Sequence, residues 1–206
     1  MRLRLRITLQ DSINRYLLQK NEAIAYAVAS FLYIYFAMKK IIYIVYLIVA
    51  VLCVAGCIKE NVGADLKVGD CLPDFAVTMN DGTVVSDDSL MGNVSCVMFF
   101  HTTCPDCQAT LPVVQSIYDE YQQKGVVFAL ISRGQSAGDI DAFWTEKGLD
   151  MPYSAQESRY VYNKFAGTRI PRVYICDKDG IIRYIFTDDP IPTYDDLMSS
   201  LESLIR

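Results

Sequence analysis

The chain has 206 residues and a formal net charge of −5, room for one ordinary domain plus an extra segment. The charge is unevenly divided: residues before Cys57 hold seven Lys and Arg against two acidic residues, while those from Cys57 onward hold 12 against 22, a net −10. So acidic a body, without clustered Lys and Arg, argues against nucleic acid as a partner. With one histidine, His101, it also argues against Cys/His zinc sites and His-activated nucleophiles, unless His101 is the partner.

The first third of the chain reads as an address. Ala23 to Met38 is nearly all apolar, Lys39-Lys40 interrupts, and Ile41 to Cys57 is apolar again. Each run is about 16–17 residues, short of the roughly 20 that span a bilayer comfortably. From Met38, "MKKIIYIVYLIVAVLCVAGC" has a basic n-region, an apolar h-region and small residues before a cysteine, the layout of a secretory signal. Its end, Val54-Ala55-Gly56-Cys57, resembles the bacterial lipobox, which implies that the signal is removed and Cys57 is lipidated. The plainer alternative is an uncleaved anchor in which Cys57 is one small apolar residue among many. Residues 38–57 are thus expected to be a lipoprotein-type signal peptide. Residues 1–37 are expected to be an extension that is not normally made, since Met38-Lys39-Lys40 looks like a natural start; the rival reading is a membrane hairpin of both apolar runs. Either way the acidic body is expected outside the cytoplasm, with 58–69 as a polar tether and 70–206 as the folded domain.

Within that domain short strands alternate with amphipathic helices. Asp74 to Met79 and Thr83 to Val85 flank Asn80-Asp81-Gly82, a hairpin signal. Asn93 to His101 reads as a buried strand. A helix is predicted from about Cys104 to Lys124, since Leu111, Val114, Ile117, Tyr118 and Tyr121 form one apolar stripe, with Gly125 as its stop. Val126 to Ser132 is a continuous apolar strand of the kind covered on both faces. Asp139 to Gly148 and Glu157 to Ala166 read as helices, and Arg172 to Asp177 and Ile181 to Thr187 as a second hairpin. A last helix, Thr193 to Arg206, is capped by Thr193 with Asp196 at its third position. The pattern predicts an α/β fold with helices around a mixed central sheet. About 137 residues can bury a sizeable core without disulfide staples.

Of seven cysteines, Cys53 and Cys57 belong to the signal, and Cys96 and Cys176 sit in apolar strands as small buried hydrophobes. Cys71, in a loop, is either an exposed thiol or a regulatory partner. Cys104 and Cys107 differ by their place, just past a buried strand at the start of a helix. There the unsatisfied N–H groups and the helix dipole favour an anion, and Pro105 suits the first helical position. Such placement lowers a cysteine pKa from about 8.5 to roughly 3.5–7.5. The spacing sets Cys107 one turn further on, able to close a small ring with Cys104. A nucleophile plus a resolving thiol is the minimum machinery for thiol–disulfide exchange. A structural zinc site would need two more ligands that the chain does not offer, so no metal is expected, and a purely structural bridge rarely occupies a helix N-terminus.

"VGDCLPDFAVTMNDGTVVSDDSLMG", "VMFFHTTCPDCQATLP" (with Pro112, which kinks the helix in the family) and "TRIPRVYICDKDGII" together resemble the TlpA/ResA-like thiol–disulfide oxidoreductases of bacterial envelopes, along nearly all of 69–206. The resemblance implies a thioredoxin-like fold with an N-terminal β-hairpin extension. It also implies Cys104 as nucleophile, Cys107 as resolving cysteine, and Ile170-Pro171 as a cis-proline loop that offers backbone to an extended substrate. It implies no cofactor. Expected partners are protein thiols and disulfides, an upstream membrane or periplasmic electron donor, and the membrane through a lipid anchor.

The departures are specific. The family's common Trp before the first cysteine is Thr103, the buried Asp of cytoplasmic thioredoxins is Met98, and a Glu found in some relatives is Thr110. Asp106 is then the nearest carboxylate in sequence. Its charge should disfavour thiolate and make the couple more reducing, partly offsetting the helix dipole. His101 either tunes the thiolate or is a strand-end residue bonded to backbone. The expected function is a membrane-tethered, extracytoplasmic thiol–disulfide oxidoreductase. Two relatives of the fold are alternatives. A peroxiredoxin-like peroxidase would show Pro-x-x-x-Thr/Ser-x-x-Cys, where this chain has Val97 and His101 before Cys104. A copper-delivering protein would space its cysteines by three residues and add a distal histidine.

Overall fold

The structure, a computed structural model, describes Met38–Lys40, Ile42 and residues 65–206. The expectations for 1–37, for most of the 38–57 signal, for Cys57 and for 58–64 lie outside the described residues. Residues 65–69 correct the predicted tether, because they belong to the fold. Leu66 is buried and its N–H donates to the Phe165 carbonyl at 3.0 Å. One leucine among polar residues has no periodicity to announce it, and its partner is about a hundred residues away.

A two-stranded hairpin follows. Strands β1 (Ala76–Thr78) and β2 (Val84–Ser86) pair antiparallel, with Val77 opposite Val85. Both valines are buried while Ala76, Thr78 and Val84 face out, the period-two alternation of a half-buried ribbon. Its turn is held by Asp81, whose carboxylate accepts from the Thr83 N–H at 2.9 Å and its hydroxyl at 2.7 Å. A one-turn helix, α1 (Asp87–Leu90), comes next, closed by a capping box between Ser86 and Ser89.

The central sheet has five strands in the order β5 (Tyr153–Ser154), β4 (Val127–Ser132), β3 (Ser95–Phe100), β6 (Arg172–Cys176), β7 (Ile182–Phe186). Strands β3, β4 and β5 run parallel, and β6 and β7 are antiparallel additions on the other side. Every residue of β3 is buried, so its neighbouring phenylalanines anchor opposite faces. Phe100 packs on Trp144 of helix α3 (Ala137–Lys147) at 5.1 Å between ring centroids. Phe99 packs on Tyr162 and Phe165 of helix α4 (Tyr160–Phe165) at 5.4 and 4.7 Å. Each such ring contributes about 1.5–3 kcal/mol through burial. The long helix α2 (Pro105–Tyr121) carries Leu111, Val114, Ile117 and Tyr121 into the core and packs against the last helix, α5 (Tyr194–Ile205). The Tyr121 hydroxyl donates to Glu202 of α5 at 3.2 Å, and Tyr194 bonds Glu120.

Helix α2 is continuous through Pro112 and tightens into a 3₁₀ turn, Gln122–Lys124. Gly125 ends it with φ +85°, a left-handed conformation that residues with a Cβ rarely adopt. Helix α3 starts two residues before the predicted Asp139, because Ser136 caps it by accepting from the Asp139 N–H.

Candidate active site

Strand β3 runs into a three-residue bend, His101 to Thr103, and Cys104 is the N-cap of α2, with Pro105 at its first position. The apolar run of β3 and the proline-started helix impose this junction. It is fixed from three sides. The Thr102 N–H donates to Gln135 Oε1 at 3.0 Å, and Gln135 Nε2 donates to the Thr102 hydroxyl at 2.5 Å. Gln108 Nε2, from α2, donates to the Thr102 carbonyl at 2.6 Å. The Cys104 N–H closes the bend on the His101 carbonyl at 3.1 Å.

Both cysteines of the pair are reduced, as are Cys96 and Cys176. Cys104 is partly exposed and its thiol donates to the Ile170 carbonyl at 3.6 Å. Cys107, one turn on, is fully buried. Burial pushes its thiol well above the ordinary cysteine range; the His101 backbone N–H opposes this, and the neighbouring Cys104 thiol reinforces it. Cys107 is therefore a neutral thiol at pH 7.

The residues singled out by sequence separate into two groups. His101, Thr103, Cys104 and Ile170 line one groove of about 420 Å³ together with Arg133 and Arg169. Cys107 and Pro171 are buried beneath the surface, Pro105 is exposed on the helix, and Asp106 is half-buried in its first turn. The Ile170–Pro171 peptide bond is cis. His101 Nδ1 accepts from the Thr103 N–H at 3.3 Å and lies 3.0 Å from the Thr103 hydroxyl. Burial, and then the nearby Arg133 charge, lower its pKa, so the ring is neutral at pH 7, with its remaining proton on Nε2. The two positions where relatives carry a carboxylate hold uncharged, buried side chains: Met98, and Thr110 with its hydroxyl donating to the Asp106 carbonyl at 2.8 Å.

Arg133, Gln135 and Arg169 went unnoticed in the sequence. Arg133 follows the C-terminal end of β4, and its N–H donates to the Phe100 carbonyl at 2.8 Å, which places it beside the end of β3. Ligands of open α/β sheets gather at the carboxyl ends of parallel strands, so that position carried a usable signal. Arg169 had none: it is the one non-glycine residue with positive φ among the described residues, at +67°.

The sheet order, the cysteine pair at the head of α2 and the loop facing it define a thioredoxin-fold redox protein. Residues 68–185 match the AhpC/TSA family model, more than half of the chain, and the chain belongs to that family. It is 25% identical over 139 residues to the thiol-disulfide oxidoreductase ResA of Geobacillus thermodenitrificans, covering 68% of this chain and 79% of the relative. It is 29% identical over 146 residues to the ResA of Oceanobacillus iheyensis, covering 68% and 76%. Among solved structures it is similar in fold to a putative protein disulfide isomerase from Bacteroides thetaiotaomicron, with TM-score 0.61, 22% identity and coverage of 69% and 90%. A putative thiol:disulfide interchange protein DsbE from Chlorobium tepidum gives TM-score 0.61 at 18% identity, covering 69% and 100%. The enzyme class is thiol–disulfide oxidoreductase, of the ResA-like kind.

Proposed function

We propose that the chain is a membrane-tethered, extracytoplasmic thiol–disulfide oxidoreductase that reduces or exchanges disulfides in envelope proteins through Cys104 and Cys107. The observation that carries this reading is the asymmetry of the pair: Cys104 borders an open groove, and Cys107 is a neutral thiol buried behind it. In the reducing direction the Cys104 sulfur attacks one sulfur of a substrate disulfide. A mixed disulfide forms, and the other substrate sulfur leaves as thiolate and takes a proton. Cys107 then gives up its proton and attacks Cys104 Sγ, forming the Cys104–Cys107 disulfide and releasing the second substrate thiol. Two electrons pass to the substrate, and an upstream dithiol donor at the membrane restores the pair. Ile170 and Pro171 hold the substrate backbone opposite Cys104, and His101, Thr103, Pro105 and Asp106 set the environment of the attacking sulfur. The signal at 38–57 and lipidation of Cys57 supply the tether, a reading supported by the lipobox-like end of that segment.

Trapping tests the reaction. Cys107→Ser should accumulate disulfide-linked adducts through Cys104, visible on non-reducing gels, whereas Cys104→Ser should not. Equal trapping by both variants would overturn the assignment. Fatty-acid labelling that survives Cys57→Ser would overturn the proposed anchor. Peroxidase activity, the alternative raised by membership of the AhpC/TSA family, predicts rapid turnover of hydrogen peroxide by the reduced protein.

A further inference from the structure

The charged residues lining the groove at Cys104 are of opposite sign to the excess charge of the domain around them. Residues 65–206 contain 11 Lys and Arg against 21 Asp and Glu, a net −10. Yet two of the six residues lining the groove are arginines, and none of the six is acidic. Arg133 has no carboxylate partner among the described residues; its guanidinium lies 5.3 Å from the centre of the Tyr162 ring. Arg169 meets Asp188 at 3.5 Å, a long contact, and its side chain is 58% exposed, so most of its five donors remain open to a ligand.

The fold also spends free energy to keep Arg169 where it is. A side chain at φ +67° costs about 1–2 kcal/mol relative to the right-handed region. That backbone is held by the Tyr162 hydroxyl, set at 2.5 Å from the Thr168 carbonyl and 2.6 Å from that of Arg169. The same tyrosine therefore packs near one groove arginine and anchors the other. A strained residue kept in place beside a reactive sulfur is the circumstance in which strain points to a role.

We propose that Arg133 and Arg169 make this groove selective for polypeptide disulfides with Asp or Glu close to the target cysteine. The inference rests on the oxidoreductase reading and adds the substrate class to it. Guanidinium groups pair bidentately with carboxylates, so each arginine fits one acidic side chain flanking the cysteine that docks at Cys104. Basic substrates gain from the acidic body but lose at the groove, where the exchange occurs; the local charge decides because screening limits the body's reach to about 8–10 Å at ordinary salt.

The test uses three synthetic peptide disulfides, alike except that Glu, Gln or Lys flanks the cysteine. Each is reduced by the reduced full-length chain, and each rate is divided by that with dithiothreitol under the same conditions, which removes intrinsic reactivity. The Glu peptide should react about 5–20-fold faster than the Lys peptide at about 0.15 M salt, where the field of the acidic body is screened, and the ratio should fall toward one at about 1 M salt. Arg133→Gln with Arg169→Gln should bring the ratio at about 0.15 M salt to near one, and Arg169→Lys should keep most of it. A ratio at or below one in the native protein, or one that survives the double substitution, rejects the proposal. If the Gln peptide reacts no faster than with Cys104→Ser protein, the oxidoreductase reading fails as well; if it reacts normally while the ratio is one, only the selectivity falls.

Discussion

Asp65 and Arg172, 107 residues apart, form an ion pair of 2.5 Å that ties the front of the domain to the first residue after Pro171. The arginine side chain is 7% exposed and the aspartate 45%. Arg172 also donates to the Tyr174 hydroxyl at 3.3 Å, while its Nε has no partner. Breaking a pair that neutralises a buried guanidinium is costly. Because half of the aspartate is in water, Asp65→Asn is expected to destabilise by about 1–2 kcal/mol at pH 7 rather than the full buried-pair value. The Gly167 N–H first, then the Arg172 charge, hold the Asp65 carboxyl below its ordinary 3.8, against burial. With the folded value depressed, the stabilisation is complete above that pH and is lost as pH falls through the folded value. Urea unfolding of the two proteins should differ at pH 7 and converge below about pH 4. Equal stability at pH 7 would show the pair to be idle.

Gln135 holds the bend that delivers Cys104, and it is 6% exposed. Gln135→Ala leaves the Thr102 N–H and hydroxyl buried without their partner. The expected cost is about 1–3 kcal/mol, with a fall in the rate of mixed-disulfide formation because the N-cap loosens. Gln135→Glu keeps the acceptor for the N–H and should recover part of the rate. If thermal unfolding falls while the reaction rate is untouched, the residue is structural alone.

What could be read from sequence was local. The run Asn93 to His101, then Cys104-Pro105 and a helical stripe, gives strand, N-cap and helix from adjacent residues, and the structure has all three, with the strand trimmed to Ser95–Phe100. The second hairpin and the Thr193 capping box are of the same kind. Illegible were contacts whose halves lie far apart: Leu66 on Phe165, Asp65 on Arg172, Gln135 on Thr102. Strand β5 is two residues and α1 one turn, too short for a period to register. At the site, the cysteines and Ile170 were visible as a motif, but the arginine pair was not, since a groove's charge depends on which loops meet.

Asp106 sits half-buried in the first turn of α2, next to Cys104. A fixed negative charge there favours the disulfide over the dithiol, so Asp106→Asn should raise the reduction potential, by about 10–20 mV if the charge acts through partly aqueous surroundings. The same change removes a favourable charge at a helix N-terminus, which should lower stability by about 0.3–1 kcal/mol. Redox equilibration against glutathione measures the first effect and chemical denaturation the second. An unchanged or lower potential would contradict the assignment of Asp106 as a group that favours the disulfide.

The buried thiols set the alkaline limit of the reduced protein. Burial raises Cys107 and Cys96 far above the ordinary thiol value of 9.0 and pushes Cys176 up to about 12. A group whose folded value is raised contributes stability that is fully present below its unfolded value and is lost as pH rises through the folded one. Above about pH 9 the unfolded chain releases protons that the folded chain still holds, so each thiol lowers stability by about 1.4 kcal/mol per pH unit. The buried tyrosines add to the slope from about pH 10, with Tyr121 and Tyr174 both raised to about 12, chiefly by burial. Denaturant midpoints of the reduced protein should be level from pH 6 to 8 and fall steadily above 9. Oxidation to the Cys104–Cys107 disulfide removes the Cys107 share, and Cys107→Ala does so without a new bond. Both should therefore show a slope shallower by about 1.4 kcal/mol per pH unit between pH 9 and 11. If the reduced native protein and Cys107→Ala lose stability in parallel over that range, Cys107 is not the neutral buried thiol that the resolving role requires.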